Sequence, residues 1–301
     1  MPTLFVQFIH PGGEHSPKPK NSNHIPWNDK KDHKRKFLIN PGKYLENDST
    51  IKEDKLIFWG EWEAQSDVIQ HFDSENNGYP QYLCQPYYSI PQNTEGLQNT
   101  DPFVFGKQFY YVMCQQSNKN LRNLERGSVI LFGSCLNQKF VLDTVFVVSN
   151  YYDLENIKSN KCLQQVRELV SSTYFDVTID RLLSDDCSRT SQNNDDRPMS
   201  MSRRLYLGAT YENPVKEMFS FFPCLPYKNN IADGFKRPVI QIDDVISDNN
   251  PQGIKYKHKN YPKNLESNQI LWNKVKQQVE NKNLNLGVYA DLPTNRQNAS
   301  H

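Results

Sequence analysis

Between Phe109 and Val148 the chain repeats one pattern, in which runs of aromatic and β-branched residues are cut short by Gly, Asn and Ser. Phe109-Tyr110-Tyr111-Val112-Met113-Cys114 is followed by a polar stretch holding Asn120-Leu121-Arg122-Asn123-Leu124. Gly127-Ser128-Val129-Ile130-Leu131-Phe132-Gly133-Ser134 comes next, and then Phe140 to Val148. Residues of the first kind fit a pleated surface, and the breakers between them are turn formers. The segment therefore predicts two or three strands joined by short turns, with one helical turn at most around Leu121 to Leu124. Such an arrangement is a small piece of β-barrel or curled sheet.

The order of these parts resembles the core of PUA-like domains of the EVE, ASCH and YTH type. In those domains a polar segment containing Arg and Asn precedes a Gly-(Ser/Asp) strand ending in Leu-Phe, and a valine-rich strand follows. Here the corresponding parts are Asn120 to Asn123, Leu124 to Phe132 and Leu142 to Val148. The resemblance implies a pocket for a flipped, often modified, base. Asn120 and Ser134 would then hydrogen-bond an edge of the base, and Arg122 would contact phosphate or stack. Without the resemblance, the same residues make a buried hairpin with a capped turn and a solvated arginine. A large C-terminal half lies outside the resemblance.

Composition limits the alternatives. In 301 residues, 37% hydrophobic content with 12% aromatics is enough for the core of one large or two medium domains. Lys plus Arg total 35 against 34 for Asp plus Glu, so no global field draws in nucleic acid and any phosphate contact needs a local patch. The best local patch is Lys30 to Lys36, extended backward by Lys18 and Lys20. Read blandly, it is a solvated loop. Cysteines at 84, 114, 135, 162, 187 and 224 form no Cys-x-x-Cys pair, so no metal or other cofactor is expected. Neither a basic-then-apolar leader nor a run of 18 apolar residues occurs. The expectation is a cytoplasmic protein with reduced thiols and no membrane contact.

The predicted fold class is α+β, a mixed or barrel-like β core with added strands and a C-terminal amphipathic helix. Residues 3 to 9 are almost continuously apolar and read as a strand buried on both faces or a central one. A polar loop spans 16–36, a strand runs from Lys55 to Glu63, and Tyr79 to Tyr88 reads as an extended loop. A helix is expected between Tyr152 and Val170, strands near Arg204 to Ala209, Met218 to Cys224 and Pro238 to Ile242, and a helix from Ser267 to Asn281. The domain reading is a unit over 1–183, a polar linker or insertion over 184–204, a second α+β unit over 205–292, and a disordered tail over 293–301.

Two constellations could carry chemistry. Trp59-Gly60-Glu61-Trp62-Glu63 places two indoles and two carboxylates around one glycine. Stacking of a base on such a ring is worth about 1 to 3 kcal/mol. His10-Pro11-Gly12-Gly13-Glu14-His15 puts acid–base groups on a tight turn at a strand end. These lead to a binding module for a nucleotide or a base in nucleic acid, with Trp59 and Trp62 as platforms and Asn120, Arg122 and Ser134 as readers. The alternative is a hydrolase acting on a nucleotide or nucleic acid, in which His10, Glu14 and His15 meet Glu61 and Glu63 across one cleft. An interaction scaffold is the third reading. The absence of a Gly-x-Gly-x-x-Gly, a Walker loop and a Gly-x-Ser-x-Gly sets aside the Rossmann, P-loop and α/β-hydrolase classes.

Overall fold

A computed structural model of the chain describes residues 2–10, 13–15, 35–46, 50–72, 78–89, 100–114, 116, 118–154, 159–180, 203–228, 234–241, 253–255 and 262–296. The strands among them are β1 Phe5–His10, β2 Lys36–Leu45, β3 Ile51–Gly60, β4 Ser66–His71, β5 Tyr82–Tyr88, β6 Tyr110–Tyr111 and β7 Val129–Leu136. They continue as β8 Lys139–Leu154, β9 Arg203–Gly208, β10 Phe222–Pro226, β11 Gly253–Lys255, β12 Asn285–Ala290 and β13 Thr294–Asn295. The helices are α1 Lys119–Arg122, α2 Asn160–Leu169, α3 Ser172–Tyr174 and α4 Leu265–Glu280, with a π-helical turn over Phe175–Ile179 after α3. None of these helices is long and apolar enough to cross a membrane.

One sheet runs β11-β1-β7-β8-β9-β6, with β1 and β7 parallel. The other runs β12-β10-β3-β2-β5-β13, with β4 added on β5. Because β12 also pairs with β2, strands β2, β3, β10 and β12 close into a ring, and the fold is α+β with a barrel-like β part. Closure depends on Gly42, where a Cβ would lie 2.3 Å from the Tyr289 carbonyl oxygen, so a larger residue would push β12 away from β2.

Two hydrophobic cores explain why several strands read as unbroken apolar runs. Alternate residues of one strand enter different cores: Val6, Leu38, Phe58 and Phe132 pack into the first, and Phe5, Phe37, Ile57 and Leu131 into the second. Helix α4 covers the second core with Leu271, Trp272, Val275 and Val279. Asn264 caps its start by accepting from the Ser267 N–H.

Several expectations are corrected. The ring is built from β2, β3, β10 and β12, whereas the segment from Phe109 to Val148 contributes β6, β7 and most of β8 to the other sheet, with α1 between β6 and β7. Tyr82–Tyr88 is a strand between β2 and β4 rather than a loop, because both of its edges find partners. Strand β8 runs on to Leu154, so the helix expected from Tyr152 begins only at Asn160, after the Ser159 cap. Among the described residues of the strand read over Pro238 to Ile242, which end at Gln241, there is an isolated bridge at Val239. Thr294–Asn295 pairs with β5, giving part of the polar tail a place in the second sheet. Strands from the second half of the chain enter both sheets. The polar stretch 184–202 and most of the loop 16–36 lie outside the described residues.

Candidate functional site

The C-terminal ends of the parallel strands β1 and β7 place His10 opposite Ser134. One residue pair earlier, the β7–β8 ladder slips: Phe132 faces Thr144 and Gly133 faces Leu142, which leaves Asp143 as an extra residue. A bulge of this kind bends the strand and re-aims the residue it carries. Gly133 makes it sterically feasible, since a Cβ there would sit 2.1 Å from the Val141 carbonyl oxygen and 2.7 Å from the Phe140 ring.

Asp143 enters a buried cluster of charges. Arg35 Nε donates to Asp143 Oδ2 at 2.7 Å, and Arg35 Nη1 meets Glu61 Oε2 at 3.1 Å. Arg237 Nη1 donates to Ser134 Oγ at 3.0 Å and lies 3.7 Å from Asp143 Oδ1. The Arg35 side chain is 1% exposed, and those of Glu61 and Asp143 are 2% and 4% exposed. Burial alone would lower the Arg35 pKa, but the Glu61 and Asp143 carboxylates outweigh it and hold the guanidinium above its ordinary value. Burial dominates at Arg237 and keeps it below its ordinary value, with Asp143 opposing.

His10 links this cluster to Cys114. Its ring stacks on Phe8 with centroids 4.4 Å apart, which fixes its plane. Nε2 then lies 3.2 Å from Cys114 Sγ, and Nδ1 lies 3.9 Å from Glu61 Oε2, within ion-pair reach but too long for a hydrogen bond. Cys114 is held from its other side. The N–H groups of Val112, Met113 and Cys114 all donate to the buried Asp101 carboxylate, at 2.6 to 3.1 Å. Tyr174 Oη–H donates to the same carboxylate at 2.9 Å, and Tyr111 Oη–H donates to the Cys114 carbonyl at 2.6 Å. Burial raises Asp101 to about 6 against those donors. Burial also raises the Cys114 thiol well above its ordinary value, assisted by Glu61, Asp101 and Glu63, so the resting group is the thiol.

The remaining sequence-selected residues are spread around this centre. Trp62 is fully buried, edge-on to Phe105, with its indole N–H donated to the Gln65 carbonyl at 2.6 Å. Trp59 lies in the second core against Phe37, under the Arg237 guanidinium at 4.9 Å, and its N–H is donated to the Phe235 carbonyl. Strand β3 ends at Gly60, so Trp59, Glu61 and Glu63 do not share one strand face, and both indoles are packed where no base can stack. Glu14 accepts from the N–H groups of Gln81 and Tyr82 and is raised to about 7 by burial. His15 donates its backbone N–H to the Arg35 carbonyl. Glu63 is buried, and its N–H is donated to Thr100 Oγ1. Asn120 is exposed on α1 and Arg122 is half-buried there, while Ser134 is buried within the cluster. Thus His10, Glu61 and Ser134 come together, and Asn120, Arg122 and the tryptophans stay apart from them.

Arg35, Cys114, Asp143 and Arg237 were not selected from the sequence. Arg35 sits in the basic run read as a solvated loop, yet Arg35 and Lys36 are both buried, and residues 30–34 lie outside the described ones. Asp143 did carry a signal, as a carboxylate inside the apolar run from Phe140 to Val148. Among the described residues no group of three or more His, Cys, Asp or Glu side chains is placed to hold a metal ion. No protein-family model matches the chain, and no curated protein or solved structure matches it.

Proposed function

We propose that this chain is an enzyme that acts on a nucleotide or nucleic acid by hydrolysis or glycosyl cleavage, with His10 and Glu61 as its acid–base pair. The observation that carries this reading is the convergence of His10 and Glu61, from the ends of two strands in different sheets, on one buried centre with a thiol beside it. Burying several charges is costly and seldom chosen for stability alone, whereas tuned acid–base groups require it. The nucleotide class rests on the PUA-like resemblance of residues 109–148, and that segment supplies Cys114, Ser134 and Asp143 to the centre. A pure base-binding module would need an open ring platform, which neither Trp59 nor Trp62 offers.

The test is a hydrolysis screen of nucleosides, nucleotides and short single- and double-stranded oligonucleotides, plain and base-modified, against wild type and His10→Gln. Turnover in wild type that falls by about a hundredfold or more in the variant is expected for a general acid or base. Salt-sensitive oligonucleotide binding with no turnover of any substrate would return the chain to the binding-module reading.

A further inference from the structure

We infer that Cys114 is a covalent nucleophile, deprotonated by His10, that attacks an amidine-type carbon of a nucleobase and displaces its amino group. This rests on the hydrolytic reading above and names its substrate class. Three observations carry it. Cys114 Sγ is 3.2 Å from His10 Nε2, hydrogen-bonding distance for a thiol and an imidazole. The other ring nitrogen faces Glu61 Oε2 at 3.9 Å, an oxygen shared with Arg35 Nη1 at 3.1 Å, so a carboxylate stands beside the positive charge that His10 gains when it takes the proton. The loop bearing Cys114 is fixed by three backbone amides on Asp101 and by Tyr111 on the Cys114 carbonyl, more restraint than a packing thiol needs.

The charges around the sulfur select the electrophile. Carboxylates border the sulfur: Asp101 accepts the Cys114 N–H at 3.0 Å, and Glu61 lies 3.9 Å from the His10 ring that meets the thiol. A phosphoryl group would be repelled there, whereas a neutral or cationic amidine carbon is not. In the first step the S–H proton passes to His10 Nε2 and the sulfur forms a bond to the carbon, while the π pair of the ring carbon–nitrogen double bond moves onto the ring nitrogen, to return when the exocyclic amino group leaves. The carbon–nitrogen bond then breaks, and the leaving nitrogen takes the proton from His10 and departs as ammonia. Water next gives a proton to His10 and forms a carbon–oxygen bond, the π pair again moving onto the ring nitrogen and returning as the sulfur leaves. The carbon–sulfur bond breaks, and the sulfur recovers its proton from His10. Water is the only co-reactant, and the product is the oxo base.

Iodoacetamide alkylation mapped by peptide mass spectrometry tests the nucleophile, with Cys135, half-exposed on β7, as the internal control. In wild type Cys114 should be alkylated. His10→Gln and His10→Asn should each slow that reaction about a hundredfold and leave Cys135 unchanged. Melting curves would show that the variants are folded. A Cys114 that does not react, or reacts at the same rate in both variants, overturns the proposal, since a sulfur closed to a two-carbon amide is closed to a base. Ammonia release from adenosine and cytidine, free and in oligonucleotides, separates the two levels. Turnover lost in His10→Gln but kept in Cys114→Ser would leave the hydrolytic reading and remove the covalent step. His10-dependent alkylation with no substrate turned over would leave the nucleophile and remove the nucleotide class.

Discussion

The hairpin of β2 and β3 carries the same kinds of charged side chains at both ends and treats them in opposite ways. At the end where Lys36 faces Gly60, the residues Arg35, Lys36, Glu61 and Glu63 are all buried. At the other end, toward Leu45 and Ile51, Lys43 pairs with Glu53 at 2.9 Å with side chains 43% and 70% exposed, and Lys52 pairs with Glu46. Lys43 borders an open groove of about 600 Å³ that Lys107, Ser149 and Tyr289 also line. Water solvates those charges with or without their partners, so the pairs contribute little. At the closed end each charge depends on its neighbours, because nothing else replaces the water that was lost. Charge in a sequence thus indicates cost or surface only once its burial is known.

The contrast predicts a graded series of effects. Arg35→Ala should cost the most, about 3 to 5 kcal/mol by urea unfolding, because Glu61 and Asp143 would remain buried without their guanidinium. A loss below 1 kcal/mol would mean that water reaches the cluster. Gly133→Ala should cost about 1 to 3 kcal/mol, since the new methyl meets the Val141 backbone and the bulge must shift. Its effect should shrink in an Arg35→Ala background if the bulge serves mainly to aim Asp143, and a double-mutant cycle reads this directly.

A smaller effect should appear in the pH dependence. The Glu14 pKa rises from 4.5 to about 7 on folding, so its contribution is fully present below 4.5 and is lost as pH rises through about 7. Asp101 acts in the same sense through about 6, whereas Lys36, lowered to about 8, loses its contribution as pH falls through that value. The melting temperature should therefore decline between about pH 4.5 and 7, and Glu14→Gln should flatten the decline. An unchanged slope would remove Glu14 from the account. Least of all, Lys43→Ala should leave the urea midpoint where it is. A clear drop would show that the exposed end depends on its charges as the closed end does.

Periodicity and turn chemistry made much of the fold legible. Phe5–His10, Val129–Leu136 and Leu265–Glu280 fall where the apolar patterns put them. The ring was not legible in its parts, because its closure depends on β12 reaching β2, a pairing of Leu286 with Leu45 that no local pattern encodes. The same reason hid most of the centre. His10 and Glu61 stood out by residue type, but Arg35 looked like surface in a basic run, and Cys114 looked like one thiol among six. Asp143 stood out as a carboxylate in an apolar run, but only the fold brings it to them, through a one-residue slip in the ladder of β7 and β8.

That late closure has a consequence for how the chain is made. A ribosome delivers β2, β3 and β5 long before β12, so the Gly42 to Leu45 part of β2, beyond its short pairing with β5, waits through most of synthesis with its edge unpaired. Contacts this distant in sequence slow folding, and a bare strand edge invites pairing with a neighbouring chain in the meantime. The strand that seals the ring therefore also ends the period in which nascent copies can aggregate.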